Sequence, residues 1–176
     1  MKATTLLAAQ HRDLEALLAR VTFARDPSDW AFRLETLTRA LVAHDTVERE
    51  IFYPRCEQTG LLVRRGELLS DHIVDLCLYD RDTEMNQATG AEKIEVLAKA
   101  LRRHRLQEQP FFTHVEAGLG ERDLDLVGAS MAELFERVNG GDHRAALIER
   151  LGRDLAARPK TRKISRPALE LASLRA

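Results

Sequence analysis

A polar pattern repeats along this chain: His11 and His44-x-x-x-Glu48, then His72 and His104-x-x-x-Glu108. His11 to His72 is 61 positions, and His44 to His104 and Glu48 to Glu108 are 60 each. The internal gaps, 33 from His11 to His44 and 32 from His72 to His104, match as well. Each half therefore offers two imidazoles and one carboxylate at equivalent places. Any fold must bring these groups together or bury them separately, and burying an unpartnered carboxylate costs several kcal/mol.

The surrounding residues place all six groups on helix seams. Leu7, His11, Leu14, Leu18 and Val21 follow at steps of 4, 3, 4 and 3. Further rows run Leu34, Leu37, Leu41, His44, Glu48, Ile51; Leu69, His72, Leu76, Tyr79; and Ile94, Leu97, Leu101, His104, Glu108, Phe111, Val115. Apolar residues at this period form the inward stripe of an amphipathic helix. The expected fold class is all-α, an up-down-up-down four-helix bundle with additional C-terminal helices. Aromatic residues at 5% and few β-branched clusters agree with helix over sheet.

Helix punctuation divides the rows. Asp26-Pro27-Ser28-Asp29 ends the first helix and offers a cap and an early proline to the second. Thr59-Gly60 and Thr89-Gly90 separate second from third and third from fourth, and Gly118 and Gly120 close the fourth. Pro54 and Pro110 follow the His-x-x-x-Glu units, where a kink or break is expected. Leu124, Val127, Met131, Leu134 and Val138 mark a fifth helix over 121–139, stopped by Gly140-Gly141, with a short helix from about Asp142 to Ala156. Residues 1–140 are expected to form the bundle with its fifth helix, and 141–176 a short helix and basic tail.

Residues four apart on a helix point the same way, so His44 with Glu48, and His104 with Glu108, reach one small volume. His11 and His72 each add an imidazole from a neighbouring helix. Four nitrogens and two carboxylates can hold two metal ions, each with two histidines, bridged by the carboxylates. Imidazole with carboxylate suits iron, manganese or zinc better than calcium or magnesium. No lysine or arginine falls on the seams beside Glu48 or Glu108 to neutralise them. The unit is neither the His-Glu-x-x-His of zinc proteases nor the Glu-x-x-His of carboxylate-rich diiron bundles.

With these motifs in place, residues 3–139 resemble the hemerythrin-like family, also called HHE cation-binding domains. The stretch His44-Asp45-Thr46-Val47-Glu48-Arg49-Glu50-Ile51-Phe52-Tyr53-Pro54 is similar to that family's second-helix signature. The resemblance implies two iron ions, a non-haem diiron centre within a four-helix bundle. It implies that His11 and His44 bind one iron and His72 and His104 the other, with Glu48 and Glu108 bridging. Oxygen-carrying members resemble this pattern but carry a further histidine four positions after the third-helix one, where this chain has Leu76. Reversible oxygen carriage is therefore disfavoured. Asp45, Tyr53 and Asp75 are the remaining groups that could touch metal or its ligands. His114 and His143 fall outside the repeat and are read as surface or capping residues. Cys77, next to His72's seam, is read as a buried inert thiol before a redox sensor.

Bulk properties narrow the function classes. The 176 residues suffice for one domain, and 44% hydrophobic with 31% charged content suits a globular chain. No apolar run approaches membrane-spanning length, the N-terminus lacks a secretory signal pattern, and Cys56 and Cys77 show no Cys-x-x-Cys spacing, so a cytoplasmic location is expected. Net charge is −1 but uneven: six basic residues against Glu170 give the last 20 residues +5, leaving −6 for the other 156. A nucleic-acid-binding body is excluded on charge, and no membrane partner is implied. The closing Leu169-Glu170-Leu171-Ala172-Ser173-Leu174-Arg175 is similar to peptides that load cargo into encapsulin shells, although Ala172 stands where glycine is usual. The other reading is a short helix docking on the bundle. The leading expectation is an iron protein reacting with hydrogen peroxide, oxygen or nitric oxide, with catalase-like peroxide decomposition preferred. The alternative is a non-catalytic oxygen, iron or redox sensor, or an iron-holding module.

Overall fold

In a computed structural model of the chain, residues 1–60, 87–143 and 145–149 are described. Among them every regular element is helical: α1 Ala3–Thr22, α2 Pro27–Val47, a π turn Glu48–Phe52, α3 Tyr53–Gln58, α4 Gln87–Gly118 and α5 Glu121–Gly140. The expected all-α class is observed. The third seam, with His72 and Leu76, and the basic tail lie outside the described residues. No helix among the described residues is long and apolar enough to cross a membrane.

The first hairpin closes as its sequence dictates. Asp26 is extended, and its Oδ1 accepts from the Asp29 backbone N–H at 2.9 Å, with Pro27 in the first helical turn. A proline there loses no intrahelical bond, because the first N–H groups of a helix have no partner anyway. Arg33 then ties the two helices, donating to the Arg20 carbonyl at 2.8 Å and to Asp29 at 2.6 Å.

α1 packs against α2, α4 and α5, and α2 against α5. The contact surface is the predicted seam: Leu7, Leu14, Val21, Leu34, Leu37, Leu41, Ile94, Leu97, Leu101 and Val115 are all buried. Each buried leucine contributes about 2 kcal/mol of transfer free energy. The half-exposed ion pairs between the N-termini of α1 and α5, Met1 with Asp125 and Lys2 with Glu121, contribute below about 1 kcal/mol each. The apolar seam therefore holds the helices together, and the ion pairs only trim its edge. α5 joins the same core through Leu124, Val127, Met131, Leu134 and Val138, the row read from its sequence.

Three expectations from sequence are modified. Pro54 does not break the second helix; the backbone widens just before it into the π turn, where the Tyr53 N–H bonds the Glu48 carbonyl five residues back. Proline has no N–H for the carbonyl four residues earlier and crowds it, so the helix changes its register there and continues. Pro110 likewise lies inside α4, which runs on to Gly118. Gly90 does not separate helices but sits near the start of α4, where a Cβ would collide with the ring of buried Trp30. The missing side chain lets α4 approach that indole.

Candidate metal centre

Four of the six predicted groups converge in the core. Ligand atoms of His11, His44, Glu48 and His104 all lie within 4.8 Å of one another, and all four residues are buried. α1 supplies His11, α2 His44, the π turn Glu48 and α4 His104. Glu48 Oε1 is the focus: His44 Nε2 stands 3.0 Å away, His104 Nε2 3.3 Å and His11 Nε2 3.9 Å. Glu108, one turn beyond His104, brings its Oε2 to 3.3 Å from both His11 Nε2 and His104 Nε2. The imidazole centroids are 4.8 to 5.7 Å apart, so three rings surround one volume. His72 lies outside the described residues, and so do Asp75, Leu76 and Cys77.

The polar atoms here are brought together without being satisfied. His11 Nε2, His44 Nε2 and Glu108 Oε2 are buried with no hydrogen-bond partner. Buried polar atoms are partnered in the great majority of proteins, and a cluster of exceptions calls for an explanation. His44 sharpens the point. Its Nδ1 lies 2.9 Å from Gln10 Oε1, which can only accept, so Nδ1 carries the proton. The opposite ring nitrogen, Nε2, faces Glu48 Oε1 at 3.0 Å without forming a hydrogen bond. A cation in the shared volume would give these orphaned atoms a partner. Three imidazole nitrogens with carboxylate oxygens fit a transition metal such as iron, manganese or zinc. The buried His/Glu cluster could thus hold a metal ion.

Electrostatics agree with a site primed for positive charge. Burial raises the Glu48 carboxyl, but His44 and His104 beside it more than offset this and hold it well below the ordinary carboxylate value. Burial lowers His104, and the Glu48 and Glu108 carboxylates override that and lift it to about 10. His11 goes the other way: burial, reinforced by His44, holds it below the usual imidazole value despite Glu108 and Glu48.

Tyr53 closes the carboxylate side. Its hydroxyl donates to Glu108 Oε1 at 2.5 Å and lies 3.2 Å from Glu48 Oε2. Burial and then the two carboxylates push the phenol far above its ordinary value, so it remains a donor. Asp45, a further candidate in α2, is buried but directs Oδ1 to Arg49 Nε at 3.1 Å, four residues on in the π turn. Phe112 lies parallel to the His11 ring at 6.2 Å, and Phe52 meets both Phe111 and Phe112 edge-on, so an aromatic wall flanks the cluster.

Sequence reasoning missed Gln10 and Cys56. Gln10 falls three residues after Leu7 and four before Leu14, a seam spacing that marks it as inward-facing. Cys56, one turn past Tyr53, is buried; burial and then the Glu108 and Glu57 carboxylates push its thiol up to about 12. It is thus an inert thiol beside the carboxylates. His114 is exposed and donates to the Pro110 carbonyl, as a surface histidine would. His143 differs from expectation: it opens the last helical turn but is only 4% exposed, and its Nε2 has no partner. No protein-family model, curated protein or solved structure matches the chain.

Proposed function

We propose that the protein is a hemerythrin-like, non-haem iron protein that holds two iron ions and reacts with small oxygen species, decomposing hydrogen peroxide in a catalase-like manner. The observation that carries the metal part is the convergence of His11, His44, His104 and Glu48 in the core with unsatisfied Nε2 atoms. The second ion and the four-helix arrangement rest on the sequence repeat, which assigns the matching imidazole to His72. The peroxide chemistry is supported by Leu76, which leaves one nitrogen fewer than the oxygen carriers this chain resembles.

Iron bound here would supply a redox-active centre for small oxygen species. The chain's own groups do the remainder. His11, His44 and His104 present nitrogen donors from three helices, and Gln10 fixes the tautomer and orientation of His44. Glu48 and Glu108 supply the negative charge that offsets the ions. Phe52, Phe111 and Phe112 restrict water on one side, where exclusion of solvent strengthens every electrostatic contact.

The deciding experiment loads chelator-stripped protein with ferrous iron under argon, admits air, and measures iron content, the near-ultraviolet spectrum and oxygen release from peroxide. About two irons per chain, bridged diferric absorption and sustained oxygen release are expected for a two-metal redox site. At most one iron per chain with no such spectrum would sink the proposal. A non-catalytic sensor has one specific support, the depth of the cluster: His11, His44 and Glu48 are at most 1% exposed. Metal-dependent folding with no peroxide turnover would select that role.

A further inference from the structure

The two carboxylates use their oxygens in the same divided way. Glu48 turns Oε1 toward the three imidazoles and Oε2 toward the Tyr53 hydroxyl. Glu108 turns Oε2 toward His11 and His104 and Oε1 toward the same hydroxyl. Each thus keeps an inner oxygen for the imidazole cluster and has an outer oxygen occupied by one phenol. A phenol carries a single proton, so the two outer oxygens share one donor.

Local backbone makes this possible. At about 100° per residue, an unbroken α-helix would carry position 53 roughly 140° around from position 48, away from the cluster. The π turn bonds Tyr53 N–H directly to the Glu48 carbonyl and so stacks residue 53 over residue 48. π turns inside helices occur frequently at functional sites, and here the turn delivers the hydroxyl to both carboxylates.

We propose that Tyr53 is a positioning residue that orders metal loading: its hydroxyl holds the outer oxygens of Glu48 and Glu108, so one ion enters on the inner oxygens and three imidazoles, and a second ion must displace the phenol. This rests on the two-ion function proposed above. A carboxylate that bridges two ions through both of its oxygens gives the outer one to the second ion, and Tyr53 lies against that oxygen of each. The first ion should bind with Tyr53 in place, and the second should compete with it.

The test titrates cobalt(II), which is not oxidised during the measurement, into chelator-stripped full-length protein, following heat and d–d absorption. Wild type should take one equivalent tightly and a second about tenfold or more weaker, the scale at which outer groups tune metal sites. Tyr53→Phe should keep the first step and strengthen the second about tenfold. A second measurement is independent of how that variant folds. In Tyr79→Phe protein Tyr53 is the remaining tyrosine, and its Raman hydrogen-bonding doublet should stay unchanged at one equivalent and shift at the second. Two ions of equal affinity in wild type, a second step untouched by Tyr53→Phe, or a doublet that shifts with the first equivalent would each overturn the ordering role while leaving the two-ion site standing. At most one equivalent in both proteins would overturn the two-ion site, and the ordering role with it.

Discussion

Glu48 and Glu108 look alike in the repeat but are not equal in space. Glu48 Oε1 faces all three imidazoles, whereas Glu108 Oε2 faces two. Glu48→Ala should therefore lose more metal than Glu108→Ala, read as metal content after dialysis; the reverse order would count against Glu48 as the focus. Gln10 acts one step further out. Gln10→Leu removes the acceptor for His44 Nδ1–H and should weaken metal binding about tenfold in competition with a chromophoric chelator, while Gln10→Glu restores the acceptor and the affinity. His143 contributes to the pH dependence alongside His11, which is also held low. Burial lowers the His143 value first, Arg39 adds to this, and Glu35 and Asp142 oppose it. Its folded value lies below its unfolded one, so as pH falls through about 6.5 the unfolded chain takes up the proton first and stability is lost. The loss levels off below the depressed folded value. His143→Gln should shrink the fall in melting temperature between neutral and mildly acidic pH; an unchanged fall would exclude this assignment.

Helix elements meet at positions where one atom decides the approach. Gly128 of α5 faces the start of α1, and a Cβ there would overlap the Met1 carbonyl and come to 2.9 Å from Ala3 N. Both are backbone atoms that cannot swing aside as a side-chain tip can. Gly128→Ala should destabilise by about 1–3 kcal/mol in chemical denaturation, the usual range for overpacking. Gly140→Ala, at the open end of the same helix with nothing within 4 Å of its Cβ, serves as the control and should be close to neutral or slightly stabilising. Equal effects at both would show that helix propensity and not the α1–α5 approach sets the outcome. The seams themselves were legible before any coordinates, because a row such as Leu34, Leu37, Leu41 has one helical period and buries one stripe. The π turn was not: Pro54 signals a disturbance, but a break, a kink and a widened turn all satisfy its missing N–H.

At the scale of the whole molecule, the core contains an apolar seam interrupted by a polar volume. His11, His44, Glu48, His104 and Glu108 are each at most 6% exposed. Folding without metal leaves Nε2 and carboxylate atoms in that volume unsatisfied, so ions that bind the folded state alone should stabilise it. Chelator-stripped protein should stay helical by circular dichroism, melt at a lower temperature than loaded protein, and gain melting temperature as free metal rises. Identical melting with and without metal would show that the cluster does not bind ions in the folded state.

By itself the sequence determined that the chain is helical, which faces turn inward, and that several imidazoles and carboxylates lie on those faces. These are consequences of period, and period is local. Only the tertiary structure decided that three imidazoles from α1, α2 and α4 meet at one oxygen of Glu48, that Gln10 orients His44, and that Tyr53 spans both carboxylates. The family resemblance pairs His11 with His44 and His72 with His104, while packing sets both His44 and His104 beside His11, at 4.8 and 5.2 Å centroid to centroid. Period fixes the direction in which a side chain points, but convergence depends on how helices distant in sequence are rotated and shifted against each other. That is settled by which buried surfaces interlock.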